Sequence, residues 1–380
     1  MKWKYPLSDI DLGKEEEREI LKVIRSGWLS TGPVTEKFEK TFSEYLGAGY
    51  AVAVSNGTAA LHLALASLGL KKGHEVILPS LTFIATANAV LYVGAKPVFA
   101  DIVNSEELNI SPEEIEKKIT KKTKAIMVMH YGGYPCDMKA ILGIARRHGL
   151  YVIEDAAHAP GAKYQREKCG LIGDVGCFSF FSNKNLVTGE GGMVVTRNRA
   201  WAERVRRMRS HGMEALSWDK YRGHLSFYDV REIGYNYRTT EIQSALGLVQ
   251  LKKLDRNNRV RRKLVDIYRK ELQVCEGISI PFLTFKGNAS CHLFPILVTP
   301  AVDRNKLMVR LKDFGIQTSV HYPPIHLFSF YRKRFGFKIG MLPKTEDVSR
   351  REVTLPLHPR MNEKDVKWIA KKVKEVIGES

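Results

Sequence analysis

Cysteine is scarce in this chain and shows no pattern: Cys136, Cys169, Cys177, Cys275 and Cys291 are five among 380 residues. An odd, scattered set without a CxxC pair supports neither a disulfide framework nor a zinc site, so a cytoplasmic protein with no metal is expected. Long hydrophobic runs are missing as well. No uninterrupted apolar stretch reaches the length of a membrane span, and the opening MKWKYPLSDIDLGKEEEREI carries no segment of signal-peptide character. Neither export nor a membrane partner is expected. Internal repeats and low-complexity tracts are absent too, which excludes solenoid and fibrous architectures.

Acidic residues are in the minority: 41 Asp and Glu face 60 Lys and Arg, a net charge of +19. That balance invites a nucleic-acid reading, strongest in Arg204-Val205-Arg206-Arg207-Met208-Arg209 and Arg259-Val260-Arg261-Arg262-Lys263. Both clusters fall in helix-patterned segments, and no stacking aromatics interleave with them. Solvated helix faces are therefore the expected use, and nucleic acid is not an expected partner.

At 44% hydrophobic, the chain can bury a large core, and its length suggests two or three domains of about 150 residues each. Residues 14–26 read as an amphipathic helix ending at Gly27, and 34–46 as a second, after the loop Trp28-Leu29-Ser30-Thr31-Gly32-Pro33. From residue 51, apolar runs alternate with helix-length segments: AVAVS (51–55), EVILP (75–79), KPVFA (96–100), KAIMVMH (124–130), YVIE (151–154), VGCFSF (175–180) and GMVVT (192–196). Such runs predict an α/β fold, with a mostly parallel seven-stranded sheet buried between helices. A long helix from Thr239 to about Leu272 follows. Then come strand-like HLFPILV (292–298), a helix over 303–314, strand-like QTSVH (317–321), a proline-rich bend, and a last helix capped by Asn362 with Asp365 three positions on. The expected division is a large unit over 1–250, with an N-terminal arm, and a smaller α+β unit over 251–380.

The chain is organised around Lys184, held between an apolar strand and the glycine-rich turn Gly189-Glu190-Gly191-Gly192. An exposed surface lysine is the plain alternative. A lysine closing an apolar run beside glycines, however, suits a partly desolvated pocket, where burial disfavours the ammonium form and a free amine can attack a carbonyl. Upstream, SNGTAALHLAL (55–65) runs from a strand through Gly57 into a helix. Free N–H groups there, with the Thr58 hydroxyl, suit a phosphate; capping by Asn56 or Thr58 is the alternative. Asp155 in EDAAH (154–158) sits at a strand's carboxyl end, where open α/β sheets bind ligands, although a lone Asp there more often serves a turn or cap. Phe83, after EVILP, either stacks on a flat ring or joins the core. Together, a helix-start anion site, a strand-end Asp, a desolvated lysine and Ser179 on the strand before it are what pyridoxal phosphate requires.

With these residues the chain resembles the DegT/StrS family of sugar-nucleotide aminotransferases, pyridoxal-phosphate enzymes of the aspartate-aminotransferase fold (fold type I). Motifs in family order carry the resemblance: GWLSTGPVTEKFE (27–39), SNGTAALHLAL, LPSLTFIATANAV (78–90), HYGGYPCDM (130–138), EDAAHAPGA (154–162), FSFFSNKNLVTGEGG (178–192), GYNYRTTEIQSALGLVQL (234–251), HYPPIH (321–326) and LPLHP (355–359). The resemblance implies that Lys184 joins the cofactor and shuttles protons, that Asp155 partners the pyridine nitrogen, and that His158 stands near the ring hydroxyl and the substrate. It implies that Gly57, Thr58 and Ser179 hold the phosphate and that Phe83 covers the ring. By the same resemblance Asn236 reaches the phosphate in the other subunit, hence a homodimer with shared sites. Trp28, His321, Tyr322 and His326 would fall near the sugar, with a structural role as the alternative for the two histidines. The implied activity is ping-pong transfer of an amino group from L-glutamate to a keto-sugar nucleotide. A dehydratase of the same family, which has histidine in place of the lysine, is disfavoured by Lys184, and a non-catalytic paralogue by the intact Lys184, Asp155 and Thr58. The segment 211–224, longer than the shortest family versions, is expected to shape the acceptor pocket.

Overall fold

The computed structural model describes residues 3–47, 49–214 and 229–378. Seven strands form one sheet in the spatial order Tyr50–Val54, Gly192–Thr196, Val175–Ser179, Tyr151–Asp155, Thr123–Met129, Glu75–Pro79 and Lys96–Ala100. Gly192–Thr196 runs antiparallel to both neighbours, and the other pairings are parallel. Three strands keep the expected bounds, two differ by a residue at one end, and two are shifted by one residue at both ends.

The sheet reads as continuous apolar runs because both faces are covered. Alternate side chains of one strand enter opposite cores: Ile77 packs with Phe38, Phe42, Ile126 and Phe178, while Val76 and Leu78 pack with Val52, Leu63 and Met127. The parallel strands Glu75–Pro79, Thr123–Met129, Tyr151–Asp155 and Val175–Ser179 end at the same edge of the sheet. Asp155, Ser179 and the segment leading to Phe83 are gathered there by topology alone.

Helix Lys14–Ser26 stops at Gly27, whose φ of 71° is the left-handed cap that favours glycine. Helix Pro33–Leu46 has no side-chain cap of its own. Its N-terminus is held instead by Glu241, whose carboxylate accepts from the amides of Gly32, Val34 and Thr35 at 2.8–2.9 Å and from the Thr35 hydroxyl at 2.6 Å. Glu241 opens the 32-residue helix Glu241–Leu272, itself started by a reciprocal Thr240–Gln243 capping box.

Ile278–Ser279, Phe294–Val298 and Glu352–Leu355 form an antiparallel three-stranded sheet. It packs with the distal part of the long helix and with the final helix Glu363–Gly378 in a third apolar cluster. That last helix begins as expected, the Asn362 side chain accepting from the Asp365 amide and Asp365 from the Asn362 amide. The expected strand QTSVH does not form. Only Ser319 bridges Thr354, since Gln317 is taken by Tyr5 and the His321 amide donates to the Glu352 carboxylate rather than to a ladder. Tyr5 also stacks on Trp368, which fastens the N-terminal segment to this second sheet unit.

Of the basic residues in the two clusters only Arg209 and Arg261 are buried, Arg259 and Lys263 are exposed, and the rest are half-buried. Arg204 and Arg207 pair with Glu232, Arg209 with Glu39, and buried Arg261 donates to the Leu357 carbonyl. Among the described residues no helix is long and apolar enough to cross a membrane. Of the segment expected to shape an acceptor pocket, 211–224, residues 215–224 lie outside the described residues.

Candidate active site

A cavity of about 630 Å³ opens at the carboxyl ends of the sheet strands. It brings together Gly57, Thr58, Phe83, Asp155, His158, Ser179, Lys184, His321 and Tyr322. Among the residues expected at the site, Trp28, Asn236 and His326 do not line it.

Glycines weld the walls. A Cβ on Gly57 would stand 2.7 Å from that of Ser179, and one on Gly192 would stand 2.4 Å from the Asn56 carbonyl, so neither position accepts a side chain. Helix Gly57–Ser67 is thereby pressed against the strand that leads to Lys184. Asn56 is its cap, accepting from the Ala59 amide at 2.8 Å, while its carbonyl takes the Ala60 amide. The two remaining orphan donors of the helix start belong to Gly57 and Thr58, both in the cavity wall.

Lys184 follows Ser179 in a turn in which its amide donates to the Phe181 carbonyl. Desolvation lowers its ammonium to about 8, against the opposing pull of the Asp155 charge. Burial pushes Asp155 above the usual carboxylate range, and the Thr86 hydroxyl, the Ala157 amide and the charge of Lys184 pull it back. The site thus sets a weakened base against a buried carboxylate.

Burial, reinforced by Lys184, also holds His158 well below its ordinary value and His321 down at about 4. Both are neutral at physiological pH. Tyr322, pushed upward by burial, keeps its proton and lies 3.0 Å from His158 Nε2. His158 Nδ1 is buried and has no protein partner, as is Asn183 Oδ1. Phe83 is 55% exposed, which removes the core alternative, and its ring is 6.2 Å from that of Tyr322.

His326 is occupied elsewhere: Nδ1 meets the Ser80 hydroxyl at 2.8 Å and Nε2 meets Glu346 at 3.1 Å, which pins the proline-rich bend to the end of strand Glu75–Pro79. Its place is structural. Trp28 donates to the Thr31 carbonyl within its own loop. Asn236 is exposed and bridges Ser210, while its neighbour Tyr237 lines the cavity. Sequence reasoning missed Thr86, Asn183, Glu190, Tyr237 and the His292 ring, packed 4.3 Å from His158. Asn183, Glu190, Tyr237 and Thr86 all lie in motifs already singled out, although nothing in the motif marks the partner of Thr86; His292 gives no local signal.

The arrangement can hold a phosphate-bearing aromatic aldehyde, with donors for the phosphate, an amine for the aldehyde, a carboxylate for a ring nitrogen and an unpartnered imidazole nitrogen for a ring hydroxyl. Comparison with known proteins agrees. The model of the DegT/DnrJ/EryC1/StrS aminotransferase family matches residues 10–374. The chain is 42% identical over 371 residues to the spore coat polysaccharide biosynthesis protein SpsC of Bacillus subtilis, covering 96% of this chain and 95% of that protein. Among solved structures it matches Helicobacter pylori PseC, an aminotransferase involved in the biosynthesis of pseudoaminic acid, with a TM-score of 0.93 at 32% identity over 99% of this chain and 100% of that one. It matches DesV of S. venezuelae with a TM-score of 0.91 at 34% identity over 99% of both.

Proposed function

Because the chain belongs to the DegT/DnrJ/EryC1/StrS aminotransferase family, we propose that it moves an amino group from L-glutamate to the keto group of a nucleotide-linked sugar, by a ping-pong route, to make an amino sugar for a polysaccharide or related glycan. It is a sugar aminotransferase by family, with pyridoxal phosphate as cofactor. The observation that carries the finer reading is Lys184, lowered to about 8, sharing one cavity with the strand-end carboxylate of Asp155.

The residues present fit the cofactor. Gly57 and Thr58, with the Thr58 and Ser179 hydroxyls, would hold the phosphate, and the orphaned His158 Nδ1 would meet the ring hydroxyl. Asp155 would take the ring nitrogen and Phe83 would cover the ring. When bound, pyridoxal phosphate supplies a carbon that accepts an amino group and a ring that draws electrons from the substrate carbon beside it.

The chain's own part is positioning and proton transfer. Lys184 is neutral often enough near pH 8 for its Nζ to take the α-proton of the amino donor, and to return a proton at the sugar carbon in the second half of the cycle. Asp155, as an anion, stabilises positive charge on the ring nitrogen. The contact between Tyr322 and His158 holds the imidazole in place, and neutral His158 and His321 leave Lys184 as the titrating base of the cavity. Because Asn236 is exposed while Tyr237 lines its own chain's cavity, Asn236 is assigned to the phosphate in a second copy, giving a homodimer with shared sites. The division into units 1–250 and 251–380 and a cytoplasmic location complete the reading.

The test is turnover. Incubated with pyridoxal phosphate, glutamate and a panel of keto-sugar nucleotides, the protein should form 2-oxoglutarate with at least one acceptor, and Lys184→Ala should lower the rate by at least about a hundredfold. Transfer undiminished in Lys184→Ala, or no acceptor in the panel, overturns the assignment.

A further inference from the structure

Asp155 is held from behind by a chain of hydroxyls. Thr86 Oγ1 donates to Asp155 Oδ2 at 2.8 Å, and the Thr82 and Thr86 hydroxyls lie 2.9 Å apart. Thr82 and Thr86 are at most 1% exposed. A carboxylate only accepts, so the Thr86 proton points at Asp155 and the Thr82 proton is left to point at Thr86. The chain has one direction, toward the carboxylate. On the other oxygen the Ala157 amide donates at 3.2 Å.

The charged and titratable groups that face this carboxylate are Lys184, His130, Cys177 and Tyr322. Lys184 and His130 favour the anion, while Cys177 and Tyr322 are buried and hold their protons. The hydroxyl chain is therefore the neutral support that offsets burial. Thr82, Phe83 and Thr86 lie within one turn at the start of helix Ile84–Tyr92, so the segment that places the rim aromatic also places this donor.

We propose that Thr86, backed by Thr82, is a positioning residue that keeps Asp155 ionised and turned toward the ring nitrogen of the bound cofactor. The inference rests on the reading that Asp155 takes that nitrogen.

Pyridoxal phosphate is titrated onto cofactor-free protein across the acid to neutral range, and its dissociation constant is read by fluorescence. Binding that needs the Asp155 anion is full above the carboxyl's pKa and fails as pH falls through it. Removing a donor raises that pKa, so the acid limb moves to higher pH. Thr86→Val should shift the limb upward and weaken binding roughly ten- to a hundredfold at neutral pH, and Thr86→Ser should restore both. Thr82→Val should shift the limb the same way by less, and it carries the test if Thr86→Val does not fold. An unmoved limb in the folded valine variant, weakening by one factor at every pH, or failure of Thr86→Ser to rescue overturns the proposal. If wild-type protein does not bind pyridoxal phosphate, the reading of Asp155 falls and the inference with it.

Discussion

Lys184 would pass for a surface lysine by residue type; its surroundings make it a base. Desolvation brings its ammonium from the ordinary 10.5 to about 8, and the charge of Asp155 opposes that shift without cancelling it. The sign fixes a pH dependence: the neutral amine is about a tenth of the population at pH 7 and about nine-tenths at pH 9, where an ordinary lysine is still almost wholly charged. In cofactor-free protein, acylation of Lys184 by an amine reagent, followed by peptide mass spectrometry, should therefore rise with a midpoint near 8. A midpoint near 10.5 would mean that the cavity does not desolvate it. This residue was legible because an apolar strand, a lysine and a glycine turn are contiguous. Thr86 was not: it reaches Asp155 across 69 positions, and a threonine in a helix-patterned stretch carries no mark of its partner.

At the scale of elements, strands buried on both faces could be read to the residue, as in Glu75–Pro79 and Gly192–Thr196, because burial on both sides favours a nearly unbroken apolar run. QTSVH misled because its β-branched Thr318 and Val320 state only a preference, and the partners that decide it, Tyr5 and Glu352, lie far away in the chain. The support of helix Pro33–Leu46 was equally hidden. Gly32 offers no side chain, and the cap is Glu241, from the start of another helix. Four hydrogen bonds to one carboxylate that is 2% exposed predict a large loss on Glu241→Ala, about 3 kcal/mol or more, seen as a melting temperature lower by several degrees. Glu241→Gln, which keeps an acceptor, should lose less. A melt unchanged in Glu241→Ala would show that water replaces the cap without cost.

Across the whole molecule, the cavity joins two parts of the chain. Lys184 and Asp155 come from the seven-stranded sheet unit, while His321 and Tyr322 come from the bend beside the three-stranded sheet, and the contact between Tyr322 and His158 ties the two together. Three expected residues, Trp28, Asn236 and His326, stand outside this frame; Asn236 is exposed, and the next residue, Tyr237, lines the cavity. On the proposed reading, amino transfer occurs in a cleft built around Lys184 of one copy and completed by Asn236 of another. Mixing Lys184→Ala with Asn236→Asp, whose new carboxylate would repel the cofactor phosphate, tests it most directly. Each variant alone should be almost inactive. After subunit exchange at equal amounts, half of the dimers are mixed and each has one intact site, so about a quarter of wild-type activity should return. If exchange is verified by mass and no activity reappears, Asn236 serves the site of its own chain and the shared cleft is wrong.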